Sequence, residues 1–489
     1  MQQETAGKRE RTLAKHTVAL SVGRLGSKLL VFLLVRFYTS VLTKQQFGTA
    51  DLIANVANFL IPLACAGLSS GFFRFAAEAS ELREQQEVFS TGVCILAASS
   101  VLFALLSPLL MLFPYFGQYT ALILLYVLCA NLHYLVSDFV RALGNYNLFA
   151  LQGLLNTALN ICFNLIFLLP LSMGVQGYIL SVVAADLCTS VLLIVICRLW
   201  RYVRPGSASA KLVRSMLRYC LPLIPASLCW WITNTSDRYM VTHFCGEEVN
   251  GLYAAAYKIP NLLAVASGIF LDAWQFSAVN ENALAARSQP NEADRLRASL
   301  VTFFSGVFKG YSSLLTVGAA VLVLLSRPLA RLLFAADFVP AERFVPVLLL
   351  AAVLSAMSSF AGSVYMVEKR GGAMLATAAL GAALNVVLNL LLIPPFGALG
   401  AAVATALSYA AVFAVRLFTG RRSIPFSFAP VRLGLSLALL SAMTVIQTAA
   451  HGARIWLCCL LLALLILINA PALFHSVRRL LLARKRAAE

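Results

Sequence analysis

Apolar runs of 18–26 residues, parted by short polar breaks, recur along the whole chain. Each is long enough to cross roughly 30 Å of hydrocarbon as a helix. The pattern predicts fourteen such helices, at about 16–41, 48–73, 88–113, 119–140, 146–169, 175–197, 216–240, 250–275, 301–325, 344–366, 372–393, 398–418, 430–449 and 455–475. No loop between them is long enough to form a soluble domain. The polar exceptions inside these runs are the informative positions. Residues 159–170 read LNICFNLIFLLP and residues 384–395 read LNVVLNLLLIPP. Asn160, Asn164 and Pro170 fall on Asn385, Asn389 and Pro395 at one offset of 225. Asparagines four apart share a helix face. A primary amide in hydrocarbon costs free energy unless it finds a partner or water. The same exception twice, half a chain apart, predicts a duplicated helical bundle of the kind that builds many transporters.

The duplication extends to other segments. YTSVLTKQQFGTADL at the junction of helices 1 and 2 has its echo in MVTHFCGEEVNGLYAA, with Gly48 and Gly251 together near the start of a helix. Helices 1–6 and 7–12 then form two lobes of like orientation, related by an axis along the membrane normal. The expected organisation is a lobe over 1–200, a cytoplasmic linker over 201–215, a second lobe over 216–420, and helices 13 and 14 with a basic tail over 421–489. Helix 2 carries Asp51, Asn55, Asn58 and Pro62 on one face, and helix 8 answers with Lys258 and Asn261. Such stripes are either glue between helices or the lining of a wet cavity. Two corresponding stripes that include an acid and a lysine favour the cavity.

Charges within the predicted spans are the sharpest candidates for chemistry. Arg24 and Lys28 lie four apart on helix 1, with Arg36 further out. Asp237 and Arg238 adjoin on helix 7, near Trp230, Trp231 and Asn234, while Asp272, Trp274 and Gln275 close helix 8. Asp186 sits near the middle of helix 6. The cavity candidates are Arg24, Lys28, Asp51, Asn55, Asn58, Asp237, Arg238, Lys258, Asn261, Asp272 and Gln275. Each has a plainer reading. Arg36 and Arg238 can snorkel to the outer interface. Asp138 with Arg141, and Arg74 with Glu78, have the spacing of local ion pairs. The intramembrane balance leans cationic, which suits an anionic cargo such as a phosphate.

Composition agrees with the pattern. Sixty per cent apolar residues, 12% charged and a mean hydropathy of +0.84 describe a polytopic all-α membrane protein. The net charge of +18 does not imply nucleic acid, because the basic residues are gathered on one side of the predicted spans. Clusters at Arg198, Arg201, Arg204 and Lys211 and at Arg478, Arg479, Arg484, Lys485 and Arg486 face only Lys44, Arg327, Arg331, Arg343 and Arg454 in the opposite loops. This asymmetry puts both termini in the cytoplasm. The first apolar run ends in no small-residue cleavage site, so it is read as a retained helix. The eleven cysteines are scattered through apolar runs and read as small core hydrophobes. The five histidines show no metal-binding spacing, so no metal and no cofactor is expected.

GRLGSKLLVFLLVRFYTSVLTKQQFGTADL (23–52), LSSGFFRFAAE (68–78), SDRYMVTHFCGEEVNGLYAAAYKIPNLL (236–263), IFLDAWQFSAVNE (269–281) and LNVVLNLLLIPPFGALGAAVATALSY (384–409) carry a family resemblance. In them the chain resembles the oligosaccharide and polysaccharide flippases of bacterial surface-glycan export. That family shares a superfamily with lipid II flippases and MATE-type multidrug antiporters. The resemblance implies two six-helix lobes in a V around a cationic cavity lined by helices 1, 2, 7 and 8. The cargo's pyrophosphate and sugars would sit there while its polyprenyl tail stays in lipid. Relatives often have proline at the position of Arg36, so no role for Arg36 is carried over. The acidic motif of lipid II flippases near helix 2 is not evident, which ranks that cargo second.

The expected function is therefore flipping of a polyprenyl-pyrophosphate-linked oligosaccharide from the cytoplasmic to the outer leaflet of the bacterial cell membrane. The expected partners are that lipid, the bilayer and a coupling ion, Na⁺ or H⁺, with the chain acting as a monomer. A cation-coupled multidrug exporter would be expected to hold an acidic centre, whereas the helix 1 charges are basic. A membrane glycan polymerase or ligase would need a catalytic face on a sizeable outer loop. The longest such loop, about 326–343, has no arrangement of paired carboxylates and a base.

Overall fold

Backbone in hydrocarbon must satisfy its own hydrogen bonds, and this chain does so with helices throughout. The structure, a computed structural model, describes residues 34–204, 206–287, 290–368, 370–449 and 455–488. Among them there is no strand. Eleven helices are long and apolar enough to cross a membrane, or up to twelve if one pair bent by 41° counts as a single span. The chain is a multi-pass membrane protein. Of the fourteen expected spans, 16–41 lies largely outside the described residues. The one expected at 216–240 corresponds to a helix whose Asn234, Asp237 and Arg238 leave it less apolar than the eleven. The chain divides into two compact units, one ending at Trp231 and the other beginning at Ile232.

The first unit contains α1 (Lys44–Ala64), α2 (Leu68–Glu78), α3 (Leu82–Leu106), α4 (Thr120–Ala142), α5 (Tyr146–Leu168), α6 (Gly174–Ile196) and α7 (Ala210–Cys220). Thr43 starts α1 with a capping box: its hydroxyl accepts from Gln46 N–H, and the Gln46 side chain accepts from Thr43 N–H. Sequence pattern predicts one helix over 48–73, but the chain breaks between α1 and α2. Ala66 N–H donates to Leu63 O and Gly67 N–H to Pro62 O, which is a Schellman cap. Both residues are left-handed, at φ 50° and 78°. A Cβ at Gly67 would stand 2.5 Å from Cys220 O, and one at Gly71 2.5 Å from Cys220 Sγ. Glycine therefore lets α2 dock on α7, and Phe72, Phe89, Phe139, Met216 and Cys220 share one buried core.

The second unit takes most of α8 (Ile224–Cys245). It continues through α9 (Glu247–Ala256), α10 (Lys258–Arg287), α11 (Pro290–Leu324), α12 (Ser326–Leu333), α13 (Val345–Val367), α14 (Gly371–Phe396), α15 (Ala398–Gly420), α16 (Pro430–Ala449) and α17 (Ile455–Ala488). The single helix expected over 250–275 is instead bent at Tyr257, between α9 and α10. Pro260 is the cause, because its ring clashes with the carbonyl four residues back, at Ala256. Trp274, Phe304, Phe308, Phe360 and Phe426 form the aromatic core, with Trp274 stacked on Phe360 at 4.8 Å. The last two helices, outside the repeat, pack on α11.

Two pairs of positions matched in the sequence share local geometry. Gly48 and Gly251 are each the fifth residue of their helices, α1 and α9. Ser172 and Gly397, 225 residues apart, are both left-handed, at φ 47° and 59°, in the turns after α5 and α14.

Candidate functional site

The repeated asparagines make the same bond twice. Asn164 Nδ2 donates to the carboxamide of Asn160 on α5, and Asn389 Nδ2 donates to Asn385 Oδ1 at 2.9 Å on α14. The helical spacing of four dictates this bond. The surroundings then differ. Asn385 is wholly buried, accepts from Ser236 Oγ on α8 at 2.9 Å and donates to Thr405 Oγ1 on α15 at 3.3 Å. It therefore ties three helices together as glue.

In the first unit Asp51 is buried, and Asn55 Nδ2 donates to its carbonyl at 2.7 Å and its carboxylate at 2.9 Å. The acid and amide of the stripe are thus neighbours on α1, as their spacing requires. Asn58, one turn on, meets the Tyr126 hydroxyl of α4. Asp186 on α6 accepts from Asn156 Nδ2 on α5 at 2.8 Å, with Ser190 Oγ 3.5 Å from the His133 ring.

In the second unit the polar residues converge on Asp237. Its side chain is wholly buried. Oδ2 accepts from the Tyr253 hydroxyl at 2.8 Å and the Tyr257 hydroxyl at 2.7 Å, and Oδ1 accepts from Arg238 N–H at 2.9 Å. A buried carboxylate can only accept, and three donors meet that need. The Arg238 guanidinium lies over the Tyr257 ring at 4.3 Å and donates to Asn234 O at 3.2 Å. Asn234 Oδ1 accepts from the Tyr409 hydroxyl of α15 at 2.6 Å. The bend at Tyr257 presents its ring to Arg238 and its hydroxyl to Asp237. Arg238 is 8% exposed, so it is packed inside the unit and does not snorkel outward.

The remaining candidates are dispersed. Lys258 is half-buried at the first position of α10, Asn261 is exposed, and Gln275 is half-buried beyond Trp274, whose indole N–H donates to Ser363 Oγ at 3.0 Å. Arg24, Lys28 and the Asp272 side chain lie outside the described residues. The expected Asp138–Arg141 ion pair does not form. Arg141 instead stacks on Phe73 at 4.0 Å and reaches Phe149 at 5.5 Å, since α2 brings an aromatic face to it. Arg74 and Glu78 do pair, at 3.3 Å and exposed.

Sequence pattern missed three things here. Tyr253 and Tyr257 carry a legible signal, two aromatics four apart on one helix face, but nothing local points them at Asp237. Arg416, close to the end of the apolar run expected at 398–418, is not among the candidates named from the sequence. It lies within α15 and donates to Thr377 Oγ1 at 3.0 Å and Ser358 O at 3.2 Å, bridging α14 and α13. The Gly362 backbone leaves room for its guanidinium, because a Cβ there would stand 2.9 Å from Nη1. Among the described residues no three His, Cys, Asp or Glu gather to hold a metal ion.

Comparison with known proteins places this architecture. The family described as "Polysaccharide biosynthesis protein" matches residues 13–273. No curated protein matches the sequence. Among solved structures, a lipid II flippase in an inward closed conformation is 13% identical, covering 95% of this chain and 99% of its own, with a TM-score of 0.68. An inward-facing multidrug resistance MATE family transporter of the MOP superfamily is 16% identical, covering 83% of this chain and 98% of its own, with a TM-score of 0.67. A MOP superfamily transporter from Pyrococcus furiosus, whose reversed binding-pocket polarity suggests a different function, is 17% identical over 84% of this chain and 96% of its own, with a TM-score of 0.60. At these identities the likeness is one of fold.

Proposed function

We propose, from the premise that the chain belongs to the polysaccharide biosynthesis protein family, that it flips a polyprenyl-pyrophosphate-linked oligosaccharide across the cell membrane by alternating access. The family match over residues 13–273 carries this reading. Physical chemistry supplies the rest. A glycan head cannot cross about 30 Å of hydrocarbon unaided and needs a wet path. A pyrophosphate in that path needs cations, and charge-assisted bonds to phosphate oxygens are the strong ones. Arg24, Lys28 and Lys258 are the cations we assign to it, with Asp51, Asn55, Asn58, Asn261, Asp272 and Gln275 as polar lining. Asp237 and Arg238 anchor the lining from within the second unit. The direction is from the cytoplasmic to the outer leaflet, with both termini cytoplasmic and Na⁺ or H⁺ as the coupling ion. The role is transport and not catalysis, and the working unit is a monomer.

The test is reconstitution in liposomes with a labelled lipid-linked oligosaccharide. Wild type translocates it, and the Arg24→Ala/Lys258→Ala double variant, equally well folded, loses at least about tenfold in rate, the equivalent of one 1.4 kcal/mol contact. Equal rates would remove the cationic site from the mechanism. Export of organic cations without any lipid translocation would make the chain a multidrug exporter.

A further inference from the structure

The segment after α15 and the first turn of α16 carry three arginines, Arg421, Arg422 and Arg432. Buried Ile424 and Phe426 hold this segment against the second unit, and Ser427 N–H donates to Ser305 Oγ of α11 at 2.8 Å. That contact sets Arg432 beside the next turn of α11. Its Nη1 donates to Ser313 Oγ at 2.8 Å, and its Nη2 to Lys309 O at 3.1 Å and Ser312 Oγ at 3.2 Å. Both serine hydroxyls donate in turn to Lys309 O. Every one of these acceptors is a neutral oxygen. Arg432 Nε is buried and has no acceptor among the described residues. Lys309 is half-buried and shares a face of α11 with Ser312 and Ser313. Its ammonium makes no hydrogen bond or ion pair among the described residues. Arg421 reaches the same end of the unit, where its Nε donates to Phe426 O at 3.1 Å and its guanidinium lies over Phe428 at 4.9 Å. Among the described residues no carboxylate pairs with any of these four cations.

We infer that this corner of the second unit binds the phosphate of one anionic bilayer phospholipid. Its depth is right. α16 begins at Pro430, so Arg432 stands in the first turn of a span, at the level of lipid headgroups. Its chemistry is right. Basic pockets between spans take anionic headgroups, and charge-assisted bonds to phosphate oxygens are the strong ones. Its flank is right. Val431 and Leu435 of α16 and Leu314 of α11 are exposed beside the cations and offer acyl chains an apolar wall. The plainer reading is that Arg432 only ties α16 to α11. That accounts for its three bonds to α11 and leaves Nε, Lys309 and Arg421 unexplained. A free phosphate or a polyprenyl phosphate carries the same chemistry. A free phosphate has no use for the apolar wall. The cargo path is proposed to run between the duplicated halves, and α16 lies outside them. The bilayer phospholipid is therefore the occupant, and the inference needs only that the chain spans a membrane.

The test is native mass spectrometry of full-length protein, stripped of lipid in detergent and titrated with phosphatidylglycerol. Separate arms use phosphatidylcholine, a polyprenyl phosphate and inorganic phosphate. Wild type retains a single phosphatidylglycerol at concentrations where phosphatidylcholine is shed, and inorganic phosphate does not displace it. Arg432→Gln, which keeps an amide donor for the serines, and Lys309→Gln each weaken this binding about fivefold. Arg214→Ala/Arg218→Ala, which removes two exposed charges from α7 in the first unit, leaves it unchanged. Should Arg432→Gln fail to fold, Lys309→Gln decides alone, since that side chain holds no hydrogen bond. Equal retention of phosphatidylcholine overturns the inference, and so does displacement by inorganic phosphate or tighter binding of the polyprenyl phosphate. Unchanged binding in the folded glutamine variants overturns it too, as does an equal loss in the α7 variant. Nothing is translocated in this assay, so its failure is distinct from a failure to flip the proposed cargo.

Discussion

A single residue type, asparagine in hydrocarbon, shows how context sets the value of a side chain. Asn160 and Asn385 stand at equivalent positions, but their surroundings differ. Asn160 is half-buried and bonds along its own helix, whereas Asn385 is wholly buried and joins α8, α14 and α15. Removing a buried hydrogen-bond partner strands the groups it served, at about 1–3 kcal/mol. Asn385→Ala is therefore expected to lower the unfolding midpoint in detergent clearly more than Asn160→Ala, as read by fluorescence-detected size exclusion after heating. Equal losses would mean that the three-helix tie contributes nothing. The same reasoning applies to Asp237. Tyr257→Phe removes one of its three donors and the ring hydroxyl's share of the Arg238 platform. About 1–3 kcal/mol of stability is the expected loss, measured by chemical unfolding, and Tyr409→Phe, which leaves Asp237 untouched, costs less.

At the scale of the element, the positions of the helix breaks follow from backbone chemistry. The Schellman cap after α1 places alanine at a left-handed position, where glycine is free of the Cβ penalty of about 1–2 kcal/mol. Glycine also costs more chain entropy on folding, by about 0.4–1 kcal/mol. Ala66→Gly is thus expected to raise the unfolding midpoint slightly. Gly67→Ala acts in the opposite direction twice over. It strains a φ of 78° and drives a methyl into Cys220 O. Gly144→Ala is the control, with a φ of 80° and nothing within 4 Å of the new methyl. The excess loss in Gly67→Ala over Gly144→Ala measures the contact between α2 and α7, and no excess would show that α7 yields freely.

For the whole molecule the open quantity is orientation in the bilayer. The one-sided gathering of Lys and Arg sets the proposed topology. In a cysteine-free background, an impermeant thiol reagent applied to intact cells is expected to label Tyr115→Cys and not Ala208→Cys. Labelling at 208 from outside would invert the assignment.

The sequence by itself determined the class of fold, the repeated asparagine spacing and most of the spans. Those are local properties: the length of an apolar run, a period of four, an offset that repeats. It also marked Asp237, Arg238 and Asn234 as residues that hydrocarbon would not tolerate alone. It did not say that Tyr253, Tyr257 and Tyr409 would answer them, nor that Arg141 would leave Asp138 for an aromatic face. The bend at Tyr257 was latent in Pro260, but the break at Ala66 was not, since it depends on α2 finding room against α7. Partners brought together from distant segments are chosen by packing, and only the tertiary structure decides which donor lies within 3 Å of which acceptor.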